Sequence, residues 1–199
     1  MKKWLIPVII LVVIAFGFYR WAVGFNNTAV EYEANAKTAW SNVESSYQRR
    51  NDLIGNLVKT VQGAADFERG TLTDVIEARA KATSTTIDAN NLSPEKLAAF
   101  QEAQSGLSSA LSRLLVTVER YPDLKANQNF LALQEELTST ENKISFARQS
   151  YNDQVLFFNN KIQMVPSNIV AKMFSFNEEE FFEIEDESER AVPKVSFGS

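Results

Sequence analysis

The sequence predicts an all-α protein: an N-terminal transmembrane helix, then an antiparallel four-helix bundle with long first and last helices, then an acidic C-terminal tail. Three observations lead there. Trp4 to Tyr19 is apolar and carries no charge. Later stretches repeat apolar residues at alternating intervals of three and four, the pattern of helices that bury one face. Gly and Pro number only 7 and 5 in 199 residues, which suits helices and disfavours a many-stranded fold. The expected divisions are 1–25 for the anchor, 28–176 for the bundle and 177–199 for a flexible tail.

The anchor comes first. A helix over Trp4–Tyr19 would be roughly 24 Å long, slightly short for a hydrocarbon core of about 30 Å. Extension to Phe25 gives roughly 33 Å, with Arg20 snorkelling to the far interface. Trp4, Tyr19 and Trp21 then lie at the two ends, where amphipathic aromatics prefer to sit. Lys2 and Lys3 precede the apolar run and favour a cytoplasmic N-terminus, placing the rest of the chain on the non-cytoplasmic, periplasmic side of an inner membrane. The segment reads as a retained anchor. A cleaved signal would share its charge and apolar core, but only Ala22 and Gly24 resemble a cleavage site, and Arg20 lies just before them.

Gly24–Asn27 reads as a junction. Thr28-Ala29-Val30-Glu31 has the form of a capping box, so a helix is expected to restart at Thr28, the alternative being one continuous helix through the junction. Its stripe runs through Ala36, Trp40, Val43, Tyr47, Arg50, Ile54, Leu57, Val61 and Ala64 and is expected to reach almost to Phe67. Gly55 lies inside it, at a cost of about 1 kcal/mol relative to Ala, and marks a bend. Gly70 is expected to end the run. A shorter helix capped at Thr71 or its neighbour would carry Leu72, Val75, Ile76, Arg79 and Ala82. Ser84 to Asn91 reads as loop.

Ser93-Pro94-Glu95 is a strong helix start, with a capping hydroxyl, Pro in the first turn and an acid beside it. Its stripe is Leu97, Phe100, Gln104, Leu107, Leu111, Leu114, Val118 and Tyr121, and Pro122 stops it. Asp123 or Asn127 caps the last long helix. There Phe130, Leu137, Ile144, Tyr151 and Phe158 recur every seventh residue. Polar Gln134, Thr140, Glu141 and Arg148 interrupt that stripe. Ser167 is expected to cap one or two turns over Ile169, Val170, Met173 and Phe174. Asn177 to Glu189 is an acidic block expected to stay solvated. The competing reading is a tail that docks on a partner, anchored by Pro193–Phe197. Asn159-Asn160 is expected on a helix surface, and Trp40 in the core.

Composition also excludes chemistries. There is no Cys and no His. Disulfides, thiol chemistry, a histidine general base and histidine-ligated metals are therefore absent. A net charge of −5 argues against nucleic acid as a partner.

Three separated motifs resemble one family. Arg49-Arg50-Asn51-Asp52-Leu53-Ile54-Gly55-Asn56-Leu57-Val58 is similar to the R-R-x-D-L-I-P-N-L-V signature of LemA proteins. Tyr121-Pro122-Asp123-Leu124-Lys125-Ala126-Asn127 resembles their Y-P-x-L-K-A-N. Thr140-Glu141-Asn142, Ile144, Arg148 and Tyr151-Asn152 resemble their T-E-N-x-I…A-R…Y-N. Phe182 and Pro193–Phe197 look like the family's usual ending. Departures are Gly55, where the family usually has Pro, and Ser175, where Gly is usual. The resemblance implies a bacterial membrane-anchored helical bundle without known catalytic activity, metal or cofactor. It also implies an accessory or scaffold role beside envelope proteins, membrane proteases among them.

From these readings the expected function is a membrane-tethered interaction module. One alternative is a structural homo-oligomer pairing exposed heptad faces. The other is an enzyme using carboxylates and a divalent metal around Glu141 and Asp52. The candidate polar network is Arg50, Asp52, Glu141 and Arg148. If the first and last long helices run antiparallel, opposing residue numbers sum to about 191. Arg50 then faces Glu141, and Arg148 falls near Glu44. Buried, such pairs fix register more than they stabilise. On that view Glu141→Leu alone should destabilise strongly, and adding Arg50→Leu should recover much of the loss.

Overall fold

A computed structural model describes residues 4–63, 68–89 and 92–182, and the described residues are largely helical, with no strand among them. Six helices follow in order. They are α1 (Leu5–Gln62), α2 (Arg69–Ser84), α3 (Pro94–Val118), α4 (Pro122–Lys125), α5 (Gln128–Gln163) and α6 (Ser167–Met173). Lys2, Lys3, Asn90, Asn91, the expected end of the first stripe over Ala64–Phe67, and the tail from Glu183 onward lie outside the described residues.

Helix α1 corrects the expected restart at Thr28: it is one helix of 58 residues. Asn26 and Asn27 are helical, and Thr28 does not cap. Its hydroxyl donates instead to the Gly24 carbonyl one turn back, at 3.0 Å. Helical Ser and Thr make this bond readily, and extending an existing helix costs far less than nucleating a new one. Residues 5–20 are exposed throughout, and among the described helices only α1 is long and apolar enough to cross a membrane. From Phe25 onward α1 begins to bury one side.

The chain divides into two compact units. One comprises the chain up to Val43 together with Phe146–Glu180. Its core joins Phe25 and Ala29 of α1, Phe158 and Ile162 of α5, and Val170 and Ala171 of α6. Phe176 closes it edge-on to the Phe25 ring at 6.3 Å and the Phe158 ring at 6.1 Å. Further along, Trp40 is buried and meets the Tyr151 ring edge-on at 5.4 Å. The other unit comprises Glu44–Ser145 together with Phe181 and Phe182. Its core takes Ile54, Leu57 and Val61 from α1, Leu72 and Val75 from α2, Leu107 and Leu114 from α3, Leu124 from α4, and Phe130 and Leu137 from α5. In both units the buried positions are the three-and-four stripes.

The helix ends follow from local chemistry. Ser93 caps α3, accepting from the Lys96 amide, with Pro94 in the first turn. The Asn127 carboxamide caps α5, accepting from the Asn129 amide at 2.9 Å and the Phe130 amide at 3.2 Å. Pro122 not only stops α3 but opens the one-turn helix α4, whose Leu124 is buried. Three expected boundaries are displaced. Ser167, expected as a cap, is the first residue of α6, with Pro166 at the cap position and no side-chain cap bond. Gly70 lies inside α2 rather than ending α1, and Thr71 is a first-turn residue, not the cap. Ile76 belongs to the exposed side of α2.

After α6 the chain leaves through a Schellman turn. Ser175 adopts φ +60°, its amide bonds to Lys172 O, and the Phe176 amide reaches Ala171 O at 3.0 Å.

Candidate functional site

The polar residues in the apolar stripes converge on Arg50. This side chain, only 4% exposed, projects from the buried face of α1 between α3 and α5. One terminal nitrogen, Nη1, donates to Glu141 Oε1 at 3.1 Å and to Ser108 Oγ at 3.1 Å. The other, Nη2, donates to Gln104 Oε1 and to the Gln104 carbonyl oxygen. Tyr47, one turn back, places its ring 4.8 Å from the guanidinium carbon, and the ring's negative face favours the cation. Arg50 Nε has no hydrogen-bond partner.

Glu141 is less buried than a core ion pair requires. Its side chain is 48% exposed, so solvent screens its half of the bridge. The innermost partner of Arg50 is Gln104, itself buried. That changes the expected energetics. Loss of Glu141 leaves Arg50 bonded to Gln104 and Ser108, so the strong penalty expected for Glu141→Leu alone does not follow. Gln104 and Ser108 were missed as partners, although Gln104 stands in the α3 stripe as its one polar member.

The remaining candidates lie elsewhere. Asp52 is 70% exposed and sits 3.9 Å from Arg79 of α2, not in the Arg50 cluster. Each of the two acids that could serve a metal-dependent reaction therefore faces an arginine, Glu141 facing Arg50 and Asp52 facing Arg79. Arg148 is half-buried and belongs to the other compact unit. At the membrane end, Trp4, Tyr19 and Arg20 are exposed, and Trp21 stacks loosely between Phe18 and Phe25 at 5.7 and 6.4 Å.

Arg79 has a second task. Its Nε donates to the Asn51 carbonyl of α1 at 2.7 Å. The guanidinium lies across Gly55, where a Cβ would meet it at 3.0 Å. Gly55 thus makes room for an arginine to reach the backbone of α1. A shallow cleft of about 410 Å³ runs beside this contact, lined by Gly55, Asn56, Lys59 and Ile76 among others. A second cleft, of about 330 Å³, lies along Glu44, Tyr47, Asn51, Phe100 and Gln104.

The first residues of the acidic segment are held through their backbone, while Asn177, Glu178 and Glu180 stay exposed. Asn159, expected on a helix surface, is buried, and its carboxamide pairs with the Glu179 backbone in both directions. The Glu179 amide donates to Oδ1 at 3.0 Å, and Nδ2 donates to the Glu179 carbonyl at 2.9 Å. Tyr151 donates its hydroxyl to the Glu180 carbonyl at 2.8 Å. Burial pushes the Tyr151 hydroxyl far above its ordinary value, so it stays a donor. Burial also raises the Glu179 carboxyl, and Glu33 and Glu180 add to that while Lys37 opposes it. Phe182 is buried against Tyr47 and Phe100, with ring separations of 6.4 and 6.5 Å.

These features define a helical, membrane-associated protein whose buried polar groups bind helices and backbone to one another. The LemA family model matches residues 39–197, and the chain belongs to the LemA family. It is 28% identical to Protein LemA of Metamycoplasma hominis over 155 residues, covering 78% of this chain and 67% of that protein. It is 26% identical to magnetosome protein MamQ 2 of Paramagnetospirillum magneticum and to MamQ of Magnetospirillum gryphiswaldense, covering 79% of this chain and 64% of each. The chain thus spans about two thirds of the length of the curated relatives it matches.

Proposed function

We propose that the protein is a membrane-anchored accessory or scaffold module of the cell envelope, binding other envelope proteins through its helical surface rather than catalysing a reaction. The observation that carries this reading is the form of α1. A single helix begins as an exposed apolar span and continues, without a break, as a core helix of the folded part. Such a helix is suited to hold a binding surface close to the bilayer. The folded part is read as an antiparallel four-helix bundle of α1, α2, α3 and α5. Lys2 and Lys3, ahead of the apolar run, support a non-cytoplasmic location for it. Absence of catalysis is supported by the lack of His and Cys, and by the arginines that face Glu141 and Asp52.

The test is a mild crosslink in intact membranes, followed by purification through a tag on the full chain and identification of what is captured. The expected result is a reproducible set of envelope proteins, a membrane protease being one candidate. That set should be lost when exposed residues of the bundle are substituted and retained when Glu141 or Asp52 is made an amide. Capture of nothing beyond the chain's own copies would favour a structural homo-oligomer and contradict the proposal.

A further inference from the structure

Helix α6 and the turn before it expose an apolar surface beside the point where α1 leaves its apolar span. Val170 and Ala171 face inward, onto Phe25, Ala29, Phe158 and Ile162. The opposite side presents Ile169 and Met173, one turn apart, at 61% and 69% exposure. Val165 in the preceding turn is more open still, Met164 is as open as Ile169, and Phe174 follows at the end of the helix.

Seven residues are too few for a helix to persist in water unaided. The buried side and the Schellman turn at Ser175 hold this one in place, so its apolar outer side is displayed by the fold. The position of α6 says what covers that side. From Leu5 to Phe25 the helix rises about 31 Å, the thickness of a hydrocarbon core. Phe25 is therefore where α1 meets the far headgroup region, and Val170 and Ala171 of α6 share one core with Phe25. Two lysines belong to this region of the fold. Lys172 lies between Ile169 and Met173 on the exposed side of α6, and Lys161 holds its ammonium 5.7 Å from the centre of the Phe25 ring. Apolar residues with lysines beside them are the composition of a helix lying in a bilayer interface, where stems run along apolar surface and ammonium groups meet phosphates.

We infer that α6 and the Met164–Val165 turn are a second membrane contact, seated in the headgroup region of the leaflet that α1 exits, with anionic phospholipid as the ligand. The inference rests on the reading of α1 as a membrane anchor. With two points of attachment, the lower part of the folded chain is fixed against the bilayer and not merely tethered to it.

The chain lacks cysteine, so single nitroxide labels can be placed without background. Full-length protein carrying Met173→Cys or Val165→Cys is reconstituted in vesicles of phosphatidylcholine with phosphatidylglycerol. Collision rates with oxygen and with a water-soluble nickel chelate are then measured. Val13→Cys marks the lipid interior, and Thr38→Cys, exposed farther along α1, marks water. The expected result is a several-fold lower nickel collision rate at 173 and 165 than at 38, with oxygen collisions favoured. If 173 follows 38 while 13 reports lipid, α6 does not contact the membrane and the anchor stands. Protection of 173 from both reagents would mean a protein, such as a second copy, covers it, and would also overturn the inference. If 13 itself is open to nickel, the anchor reading fails and this inference falls with it.

Discussion

Arg50 is held in an apolar stripe by several partners, and their burial decides what each is worth. Gln104 is buried, and without Arg50 its side chain is left unsatisfied, at a cost of about 1–3 kcal/mol. Glu141 is half exposed and its bridge is worth about 1 kcal/mol or less. In urea unfolding, Arg50→Leu should therefore destabilise more than Glu141→Leu, and Arg50→Leu with Gln104→Leu should recover a good part of the loss. Additive losses for those two would show that the bond contributes nothing specific. Opposition of Arg50 and Glu141 was legible in the sequence because each interrupts an otherwise apolar stripe. The depth of Glu141 was not, since a residue at the edge of a stripe and one at its centre share the same spacing. A second residue-level outcome concerns pH. Glu179 has a raised carboxyl, so the docked segment takes up a proton more readily than the released one. The stability this contributes is full below the ordinary carboxylate range and is lost as pH rises through the raised value. Hydrogen-exchange protection of the 177–182 amides, corrected for intrinsic rates, should fall between acidic and neutral pH. Glu179→Gln should flatten that dependence, and an unchanged slope in the variant would assign it to another group.

At the scale of elements, the starts of α3 and α5 were legible from a capping side chain, whereas those of α2 and α6, which have no side-chain cap, were not. Ser93 and Asn127 read correctly because a side-chain oxygen bonds the first free amides wherever such a residue precedes an apolar stripe. Thr28 misled because the same residue type also fits inside a helix, bonding one turn back, once Phe25 and Ala29 on either side have a core to enter. The one-turn helix α4 is too short to show a period. The exit from α6 supplies a test. Ser175 holds φ +60°, a conformation that disfavours any residue with a Cβ by about 1–2 kcal/mol. Ser175→Gly should raise the unfolding midpoint, offset in part by the greater freedom of Gly in the unfolded chain. A lower midpoint would contradict the turn described. Gly55 is the opposite case. Gly55→Ala gains helix propensity of about 1 kcal/mol but displaces the Arg79 guanidinium from the Asn51 carbonyl. The substitution should be near neutral in the native chain and clearly stabilising when Arg79 is already Ala. Equal effects in both backgrounds would mean Arg79 moves aside freely.

For the whole molecule, the apolar first segment and the helical remainder were legible because hydrophobic run length and period carry them directly. Division into two compact units was not, because the stripes of α1 and α5 continue through both and do not record which shorter helix each turn meets. The docking of the tail's first backbone groups was also concealed: Asn159 reads as an ordinary surface amide until its backbone partner, twenty residues later, is known. Family membership adds the class of protein but no partner. The central proposal is that one continuous helix carries the folded part out of the membrane on its non-cytoplasmic side. Thiol labelling in cells tests it most directly, with Thr38→Cys and Val13→Cys in the otherwise cysteine-free full chain. After the outer membrane is permeabilised, a reagent that cannot cross the inner membrane should modify Thr38→Cys at once and Val13→Cys only after detergent. Modification of Thr38→Cys only once the inner membrane is lysed would invert the orientation, and free modification of Val13→Cys without detergent would remove the anchor.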